Sequence, residues 1–404
     1  MTDGAFRSAG YDWRLFCGPG VLEAHLPAVV ARARAERAFV VCSPSVHRRT
    51  NLTARIQAAL GARCVGVFDG IEKDSTYASV AAARDAAKAA NADLLLAVGG
   101  GSVIVAVRAV AIFMAEAGDP FEIMTQYPPD GRPYSPRLNA PKPPIVNIPT
   151  TPTSAMNRAG TGLKNPDLDH RMEYFDPKTR PAAIILDDDA LLTAPASLAL
   201  STATTVFAGV VGALSSWPDN PLVEGDQNQA ARLAHGAYLS LPGALDDPRL
   251  RRDLSLAAFL QNRAEDDGRA MRSRGALASD YALATALHLR YPNIGQGEST
   301  SVFHGATIRR ATGVEAALVR RVADLLDVRS EGLDAAAMQE AIAARLEAVY
   351  TAAGMPIRLR DLEVAREDFA AIAGETVKNF NASATLSSPE ARIAGSMALL
   401  ETAW

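Results

Sequence analysis

Short apolar runs alternate with amphipathic stretches through the first half of the chain. An apolar run bounded by turn residues is typical of a strand covered on both faces, and an amphipathic stretch is typical of the helix that connects two such strands. This alternation predicts an α/β fold with a parallel sheet, whose ligands bind at the carboxyl ends of the strands. The predicted strands cover 13–17, 37–43, 63–70, 94–98, 145–148 and 181–186, with helices over 21–35, up to Leu60, 77–90 and 103–117.

The pattern changes beyond Pro195. Strand signals end there, and alanine- and leucine-rich stretches with helical spacing continue to Trp404. We therefore expect an α/β dinucleotide-binding domain over 1–195 and an all-helical domain over 196–404. The predicted helices cover 200–216, 227–241, 250–263, 269–290, 304–311, 313–326, 335–353 and 366–377.

Two segments interrupt the α/β pattern. Residues 118–144 are rich in proline and predict a long surface loop, and residues 158–180 predict a hairpin or loop excursion. Neither segment carries a recognisable motif, and we expect residues 118–144 and 158–174 to shape the substrate pocket.

Composition narrows the class of protein. The chain has 404 residues, of which 48% are hydrophobic and 21% charged, as in a soluble globular protein. A net charge of −4 gives no general attraction to nucleic acid or to an anionic membrane. We find no apolar run near the roughly 20 residues of a membrane span, no secretory signal, and three cysteines without a metal-binding or disulfide pattern. We therefore expect a cytoplasmic protein.

Three glycines follow the most apolar of the strands. Gly99, Gly100 and Gly101 allow a tight turn and the close approach of a ligand, and Ser102 is positioned to cap the next helix. A helix N-terminus below a glycine turn suits a phosphate group. The alternative is a plain strand–helix turn.

Polar residues also follow other strands. Ser43 and Asp69 end two of them, and Thr150, Thr151 and Thr153 follow a third. These hydroxyl groups suit a phosphate or a ribose, or they serve as ordinary caps of the local backbone.

Four motifs together identify a family. Residues 16–20 (FCGPG), 67–70 (VFDG), 98–102 (VGGGS) and 148–151 (IPTT) have the order and spacing found in iron-containing (group III) alcohol dehydrogenases. The related maleylacetate reductases share this pattern, and dehydroquinate synthase shares the fold. The resemblance implies an NAD(P)-binding domain, a helical domain and a substrate cleft between them. It also implies that the glycines and Ser102 cradle the pyrophosphate and that Thr150 and Thr151 lie against the nucleotide.

The chain departs from this family where its metal is bound. The family's metal ligands are an aspartate and three histidines, and the matching positions are Thr205, Gly209, Ala284 and His304. Iron or zinc needs three or four nitrogen or oxygen ligands, so we predict no Fe or Zn. The alternative is a rearranged site of His288, His304 and Glu298. Near the glycines, Val105 and Arg108 replace the usual aspartate and lysine.

Hydride transfer without a metal needs another group to stabilise the alkoxide that develops from a carbonyl. Maleylacetate reductases, which the chain resembles in this respect, are thought to work without a metal. The candidate proton donors are His304, His288 and Tyr281, each of which has the alternative of a structural hydrogen bond.

The choice of nucleotide has a local signal. Family members that select NAD often carry an aspartate where this chain has Ser43. His47, Arg48 and Arg49 follow in the segment 46–51, which we expect to be a basic turn before the helix that ends at Leu60. Arginine suits the 2′-phosphate of NADP, so we expect NADP(H) to be accepted. The alternative is that the arginines begin a solvated helix.

The sequence therefore predicts a homodimeric NAD(P)-dependent oxidoreductase that interconverts a small-molecule carbonyl and an alcohol, without metal, nucleic-acid or membrane partners. An alternative is a catalytically degenerate member that binds a nucleotide. A maleylacetate-type oxoacid reductase and a lyase of the dehydroquinate synthase kind are further alternatives.

Overall fold

The structure is a computed structural model that describes residues 5–128, 133–265, 275–329, 331–379 and 388–404. It contains two compact units. One is Tyr11–Pro195, and the other is Ala196–Trp404 with the described residues before Tyr11. The first unit carries a parallel sheet with helices, and the second is built from helices, so the predicted fold class is confirmed.

Six parallel strands form the sheet of the α/β unit, in the order β1-β8-β5-β4-β2-β3. In register, Gly99 at the end of β4 pairs with Pro149 at the end of β5, and Val98 pairs with Cys42 at the end of β2. Three strands thus end along one stretch of the sheet's edge. The strands are β1 (Arg14–Gly18), β2 (Ala38–Cys42), β3 (Cys64–Phe68), β4 (Leu94–Gly99), β5 (Ile145–Pro149) and β8 (Ala183–Asp187).

Helices cover both faces of this sheet. They are α1 (Val21–Arg32), α2 (Pro44–Arg49), α3 (Leu52–Leu60), α4 (Tyr77–Ala89), α5 (Gly101–Ala115), α6 (Pro120–Ile123) and α7 (Asp188–Leu192). Leu95 and Ala97 of β4 pack into a cluster with α4 and α5, while Leu94, Leu96 and Val98 pack into a cluster with α1 and α3. The continuous apolar run of β4 reflects this double coverage.

The basic segment after β2 differs from its prediction. It was expected to be a turn, but α2 ends at Arg49 with His47 and Arg48 in its last turn. Basic side chains at this position complement the negative end of the helix dipole. The arginines therefore end a helix, and do not begin one.

The proline-rich segment and the segment after β5 are more ordered than a loop. The first contains α6, and the second forms an antiparallel hairpin of β6 (Gly160–Leu163) and β7 (Met172–Phe175), as one of the two predictions proposed. The side chain of Lys142 is fully buried, with its Nζ 2.6 Å from Glu116 Oε1 and 3.0 Å from Asp176 Oδ2. This ion pair network joins the proline-rich segment to the end of α5 and to the chain after β7.

The helical unit contains α8 (Ala196–Leu214), α9 (Pro221–Ser240), α10 (Pro248–Glu265), α11 (Tyr281–Arg290), α12 (Gln296–Arg310), α13 (Ala316–Leu325), α14 (Ala335–Ala352), α15 (Phe369–Glu375) and α16 (Pro389–Ala403). The first part of the helix predicted over 269–290 lies outside the described residues, and α16 was not predicted. By length and composition α8 is apolar enough to cross a membrane, but 61% of its most apolar stretch is buried in the structure, as in a core helix.

Helices α8 and α12 pack at close range. A Cβ on Gly297 would lie 2.1 Å from Ser201 O, so no side chain fits at that position. Ser201 also donates a hydrogen bond of 2.6 Å to Glu298 Oε2. Small residues therefore set the distance between the two helices that carry Thr205 and His304.

Candidate functional site

The glycine turn joins β4 directly to α5. Gly99 has φ of +156°, which side chains rarely adopt, and a Cβ there would lie 2.7 Å from Val103 Cγ2. Helix α5 begins at Gly101, and no side chain caps its N-terminus at Gly100. The first turn of an uncapped helix presents N–H groups and a positive dipole end to an anion.

Ser102 does not cap this helix, and that prediction was wrong. It is the second residue of α5, and its Oγ accepts a 3.2 Å hydrogen bond from the backbone N–H of Asp74. The Ser102 carbonyl accepts a 2.6 Å bond from Ser75 Oγ. These contacts fix the first turn of α5 against the segment before α4, a link between distant residues that no local motif indicates.

Two threonine hydroxyls lie over the glycines. Thr151 Oγ1 is 3.2 Å from the position of a Cβ on Gly100, and Thr153 Oγ1 is 3.1 Å from that of a Cβ on Gly101. Thr151 is completely buried, and its Oγ1 has no hydrogen-bond partner among the described residues. Thr150 is held beside them by its N–H bond of 3.1 Å to Gly99 O. The structure thus brings together the predicted glycine and threonine groups.

An ion pair joins the segments that follow β2 and β3. Arg48 Nε lies 3.2 Å from Asp69 Oδ2, and the Arg48 side chain is 69% exposed. Ser43 is extended at the start of α2, with its Oγ 3.1 Å from that of Ser45. The sequence indicated Asp69 as a candidate site residue because it ends a predicted strand. It did not indicate that Asp69 pairs with Arg48.

His304 on α12 is buried, and both of its ring nitrogens form hydrogen bonds. Its Nδ1 lies 2.6 Å from Tyr350 Oη, and its Nε2 lies 3.0 Å from Leu277 O. Since a carbonyl only accepts, Nε2 carries the proton and Nδ1 accepts from the tyrosine. Complete burial lowers the pKa of His304 to about 4, although the bond to Leu277 acts in the opposite direction. The imidazole is therefore neutral at pH 7.

The other two proton-donor candidates lie on α11. Tyr281 is its first residue and is half-buried, whereas His288 is 2% exposed and donates from Nδ1 to Ala284 O at 3.0 Å. The two are about 10 Å apart along the helix axis, on one face. His304 contacts Leu277 in the segment before α11, while His288 lies near that helix's other end.

The positions that match the family's metal ligands do not fit a metal. Thr205 donates to the carbonyl of its own helix, Gly209 and Ala284 have no donor side chain, and both ring nitrogens of His304 are already in hydrogen bonds. Iron or zinc needs three or four nitrogen or oxygen ligands at roughly 2.0–2.2 Å. The chemistry of this set does not provide them.

The rearranged alternative is not assembled either. Glu298 is engaged with Ser201 Oγ, and within the described ranges no group of three or more His, Cys, Asp or Glu side chains is placed to hold a metal ion. Metal independence itself stays a prediction for solution measurement.

The chain is similar to known dehydrogenases and reductases. Residues 13–188 match the family model of the iron-containing alcohol dehydrogenases. Maleylacetate reductase 2 of Cupriavidus pinatubonensis is 39% identical over 114 residues, which are 28% of this chain and 31% of that protein. Alcohol dehydrogenase 4 of Saccharomyces cerevisiae is 22% identical over 62% of this chain and 63% of its own length. The chain thus spans less than two thirds of both relatives. The 1,3-propanediol dehydrogenase of Klebsiella pneumoniae is 24% identical over 79% of this chain and 78% of its own.

Solved structures share the fold over the whole length. A 1,3-propanediol oxidoreductase superposes with a TM-score of 0.81 at 20% identity, covering 97% of this chain and 98% of its own. The maleylacetate reductase of Agrobacterium tumefaciens superposes with a TM-score of 0.71 at 20% identity, covering 99% and 98%. The resemblance predicted from the four motifs is therefore confirmed: the chain is similar to the iron-containing alcohol dehydrogenases over residues 13–188 and to maleylacetate reductases.

Proposed function

We propose that this chain is an NAD(P)-dependent oxidoreductase that interconverts a carbonyl and an alcohol by hydride transfer. The observation that supports this most is the buried Thr151 hydroxyl, without a partner, facing Gly100 at the uncapped start of α5. A polar atom buried without a hydrogen bond costs free energy unless a ligand supplies one. The family match over 13–188 covers this same turn.

The pyrophosphate of the nucleotide is proposed to bind at Gly99, Gly100 and Gly101. The N–H groups of the first turn of α5 donate to the phosphate oxygens, with Thr151 and Thr153 as further donors. Thr150 and Ser102 position the turn through their backbone and side-chain bonds. Bound there, the nicotinamide would supply or accept the hydride.

NADP(H) is proposed to bind at least as tightly as NAD(H). Ser43 carries no charge that would repel a 2′-phosphate, and the side chain of Arg48, in the last turn of the helix that Ser43 precedes, is exposed. Asp69 opposes this, because it occupies part of the Arg48 guanidinium and is itself negative. The preference therefore depends on how the Arg48–Asp69 pair responds to the phosphate.

Catalysis is proposed to proceed without a metal, because the side chains at the positions that match the family's metal ligands do not provide enough ligand atoms to hold one. A protein group must then donate the proton to the developing alkoxide. Of the three candidates, His304 and His288 are 0% and 2% exposed, and His304 is neutral at pH 7. We therefore place Tyr281, the half-buried candidate, first for testing.

Two other functions have specific support. A degenerate protein that binds a nucleotide without turnover is favoured by the loss of the metal ligands and by Val105 and Arg108 near the glycines. A maleylacetate-type oxoacid reductase is favoured by the 39% identity to such an enzyme over 114 residues. Both alternatives use the same proposed nucleotide site. The first differs from the main proposal in having no turnover, and the second differs in its substrate.

The test has two parts. The binding of NADH and NADPH to the purified chain is measured by fluorescence titration, and turnover is then screened with aldehydes, ketones and oxoacids. Binding with turnover of an aldehyde or ketone supports the proposal, and turnover of oxoacids alone supports the reductase alternative. Binding without turnover supports the degenerate alternative, and the absence of binding contradicts all three.

A further inference from the structure

A buried arginine on α5 has two N–H groups without a partner. Arg108 is 2% exposed, and its Nη1 donates a hydrogen bond of 2.5 Å to Gly160 O in β6. Its Nε and Nη2 have no hydrogen-bond partner among the described residues. These two nitrogens form one edge of the planar guanidinium, the edge that donates two parallel hydrogen bonds to the oxygens of a carboxylate or phosphate.

The charges around Arg108 are of its own sign. Burial is the largest of the effects that together lower the pKa of Arg108 to about 9; the nearby Arg158 and Arg180 act in the same direction, and Tyr11 acts in the opposite one. Among the described residues no carboxylate forms an ion pair with Arg108. A buried cation without a counter-charge is costly, so the arrangement favours an anion at this place.

Two other arginines, Arg158 and Arg180, lie near this position. Both are half-buried, whereas Arg108 is buried. Arg158 Nε donates to Ser154 O at 3.0 Å, and the Arg180 guanidinium lies over the Tyr11 ring, 5.4 Å from its centroid. Both guanidinium groups are therefore less buried than Arg108 and add positive charge near it.

We propose that the α/β unit binds a small oxyanion of the phosphate or carboxylate class at the Nε/Nη2 edge of Arg108, with Arg158 and Arg180 adding positive charge. The anion accepts the two hydrogen bonds that the protein leaves unmade and offsets the repulsion among the three guanidinium groups.

This position is separate from the glycine turn. Arg108 lies about two turns beyond Gly101 on α5, or roughly 10 Å along the helix axis. The proposal does not rest on the nicotinamide reaction, and an anion at Arg108 is expected whether or not the chain turns over a substrate.

Thermal unfolding tests the site. The melting temperature of the full chain is measured in chloride, inorganic phosphate, sulfate and acetate at one pH and one ionic strength. Phosphate and acetate distinguish the two classes of oxyanion. The variants are Arg108→Met, which removes the charge, and Arg108→Lys, which keeps it without the planar edge. Arg63→Met is the matched control, because Arg63 pairs with Glu36 at the surface of the same unit.

We expect at least one oxyanion to raise the melting temperature of the wild type and of Arg63→Met above the chloride value by about 2–4 °C at concentrations near ten times its dissociation constant. Arg108→Met and Arg108→Lys should lose most of this shift, and in chloride Arg108→Met should melt no lower than the wild type. If Arg108→Met does not fold, Arg108→Lys decides. The proposal is overturned if the wild type shows no shift in melting temperature. It is also overturned if the Arg108 variant that folds keeps the full shift, because the shift would then be the general effect of such salts on proteins.

Discussion

The Thr151 hydroxyl lies 3.2 Å from where a Cβ on Gly100 would stand, and it has no hydrogen-bond partner in the described part of the chain. The two residues follow neighbouring strands of the sheet and meet because Gly99 and Pro149 are in register. The space that a side chain would fill is therefore bounded by a donor hydroxyl and by the start of a helix, as a phosphate requires.

Substituting Gly100 by valine should weaken nucleotide binding. The backbone of Gly100, with φ of −79° and ψ of −167°, accepts a β-branched residue, so the chain should still fold. The added methyl groups would occupy the space below Thr151. We expect a loss of roughly ten- to hundredfold in NAD(P)H affinity, measured by fluorescence titration.

Gly225→Ala is the control for this variant. Gly225 lies within α9, and a Cβ there meets no atom within 4 Å. The alanine should raise stability by about 0.5–1 kcal/mol and leave nucleotide affinity unchanged. Wild-type affinity in Gly100→Val would show that the nucleotide binds elsewhere.

His304 should make the protein less stable in mild acid. Its folded pKa of about 4 lies below the ordinary histidine value of 6.5, so the unfolded chain takes up the proton first as the pH falls. The stabilisation is complete above pH 6.5 and is lost as the pH falls toward 4. Between pH 7 and pH 5 we expect this residue to cost about 2 kcal/mol of unfolding free energy, measured by urea denaturation.

His304→Gln should remove this component of the pH dependence. Tyr350→Phe, which removes the hydroxyl bonded to Nδ1 but keeps the buried imidazole, should retain it. An equal loss of stability between pH 7 and pH 5 in the wild type and in His304→Gln would contradict the assignment.

Asp69 should limit the affinity for NADPH. Asp69→Asn removes the negative charge that pairs with Arg48, and the freed guanidinium should raise NADPH affinity relative to NADH by about two- to fivefold, as expected for an exposed pair. Arg48→Met should change the ratio in the opposite direction. The ratio is obtained from the dissociation constants of both nucleotides, with Arg63→Met as control. An unchanged ratio in both variants would remove this pair from nucleotide recognition.

Tyr281→Phe should reduce turnover without affecting nucleotide binding. If its hydroxyl donates the proton, its removal should lower kcat by about 10²-fold or more, with an unchanged dissociation constant for NAD(P)H. Tyr77→Phe serves as control, because Tyr77 lies in α4, outside the two segments expected to shape the substrate pocket, with its ring against Phe113. A wild-type rate would leave His304 and His288 as the candidates, and His304→Ala would then be expected to show the 10²-fold loss.

Local patterns in the sequence were sufficient for the fold class and for the glycine turn between β4 and α5. The apolar run of β4 and the glycines after it depend on residues adjacent in the chain, so their pattern is visible directly. The role of Ser102 was misjudged because its partner, Asp74, lies on a distant segment. The burial of His304 and the lack of a hydrogen-bond partner at Nε and Nη2 of Arg108 likewise depend on packing that no motif encodes.

The basic segment at 46–51 shows a different limit. A proline and a short run of charged residues are compatible with a turn or with one helical turn and a half, and the structure has the helix α2. Here Pro44 occupies the first helical position, where its missing N–H is harmless. Whether so short a helix forms depends on tertiary packing more than on local preference. In α2 the residue that packs is Val46, which is buried.

The central claim is a nicotinamide-dependent oxidoreductase that needs no metal. The most direct measurement is NAD(P)H-dependent reduction of an accepted carbonyl by protein stripped with a chelator, together with metal content by plasma emission after refolding with Fe and Zn. The account predicts an unchanged rate and no stoichiometric metal. A rate that is lost on stripping and restored by iron or zinc, with about one ion bound per chain, would contradict it.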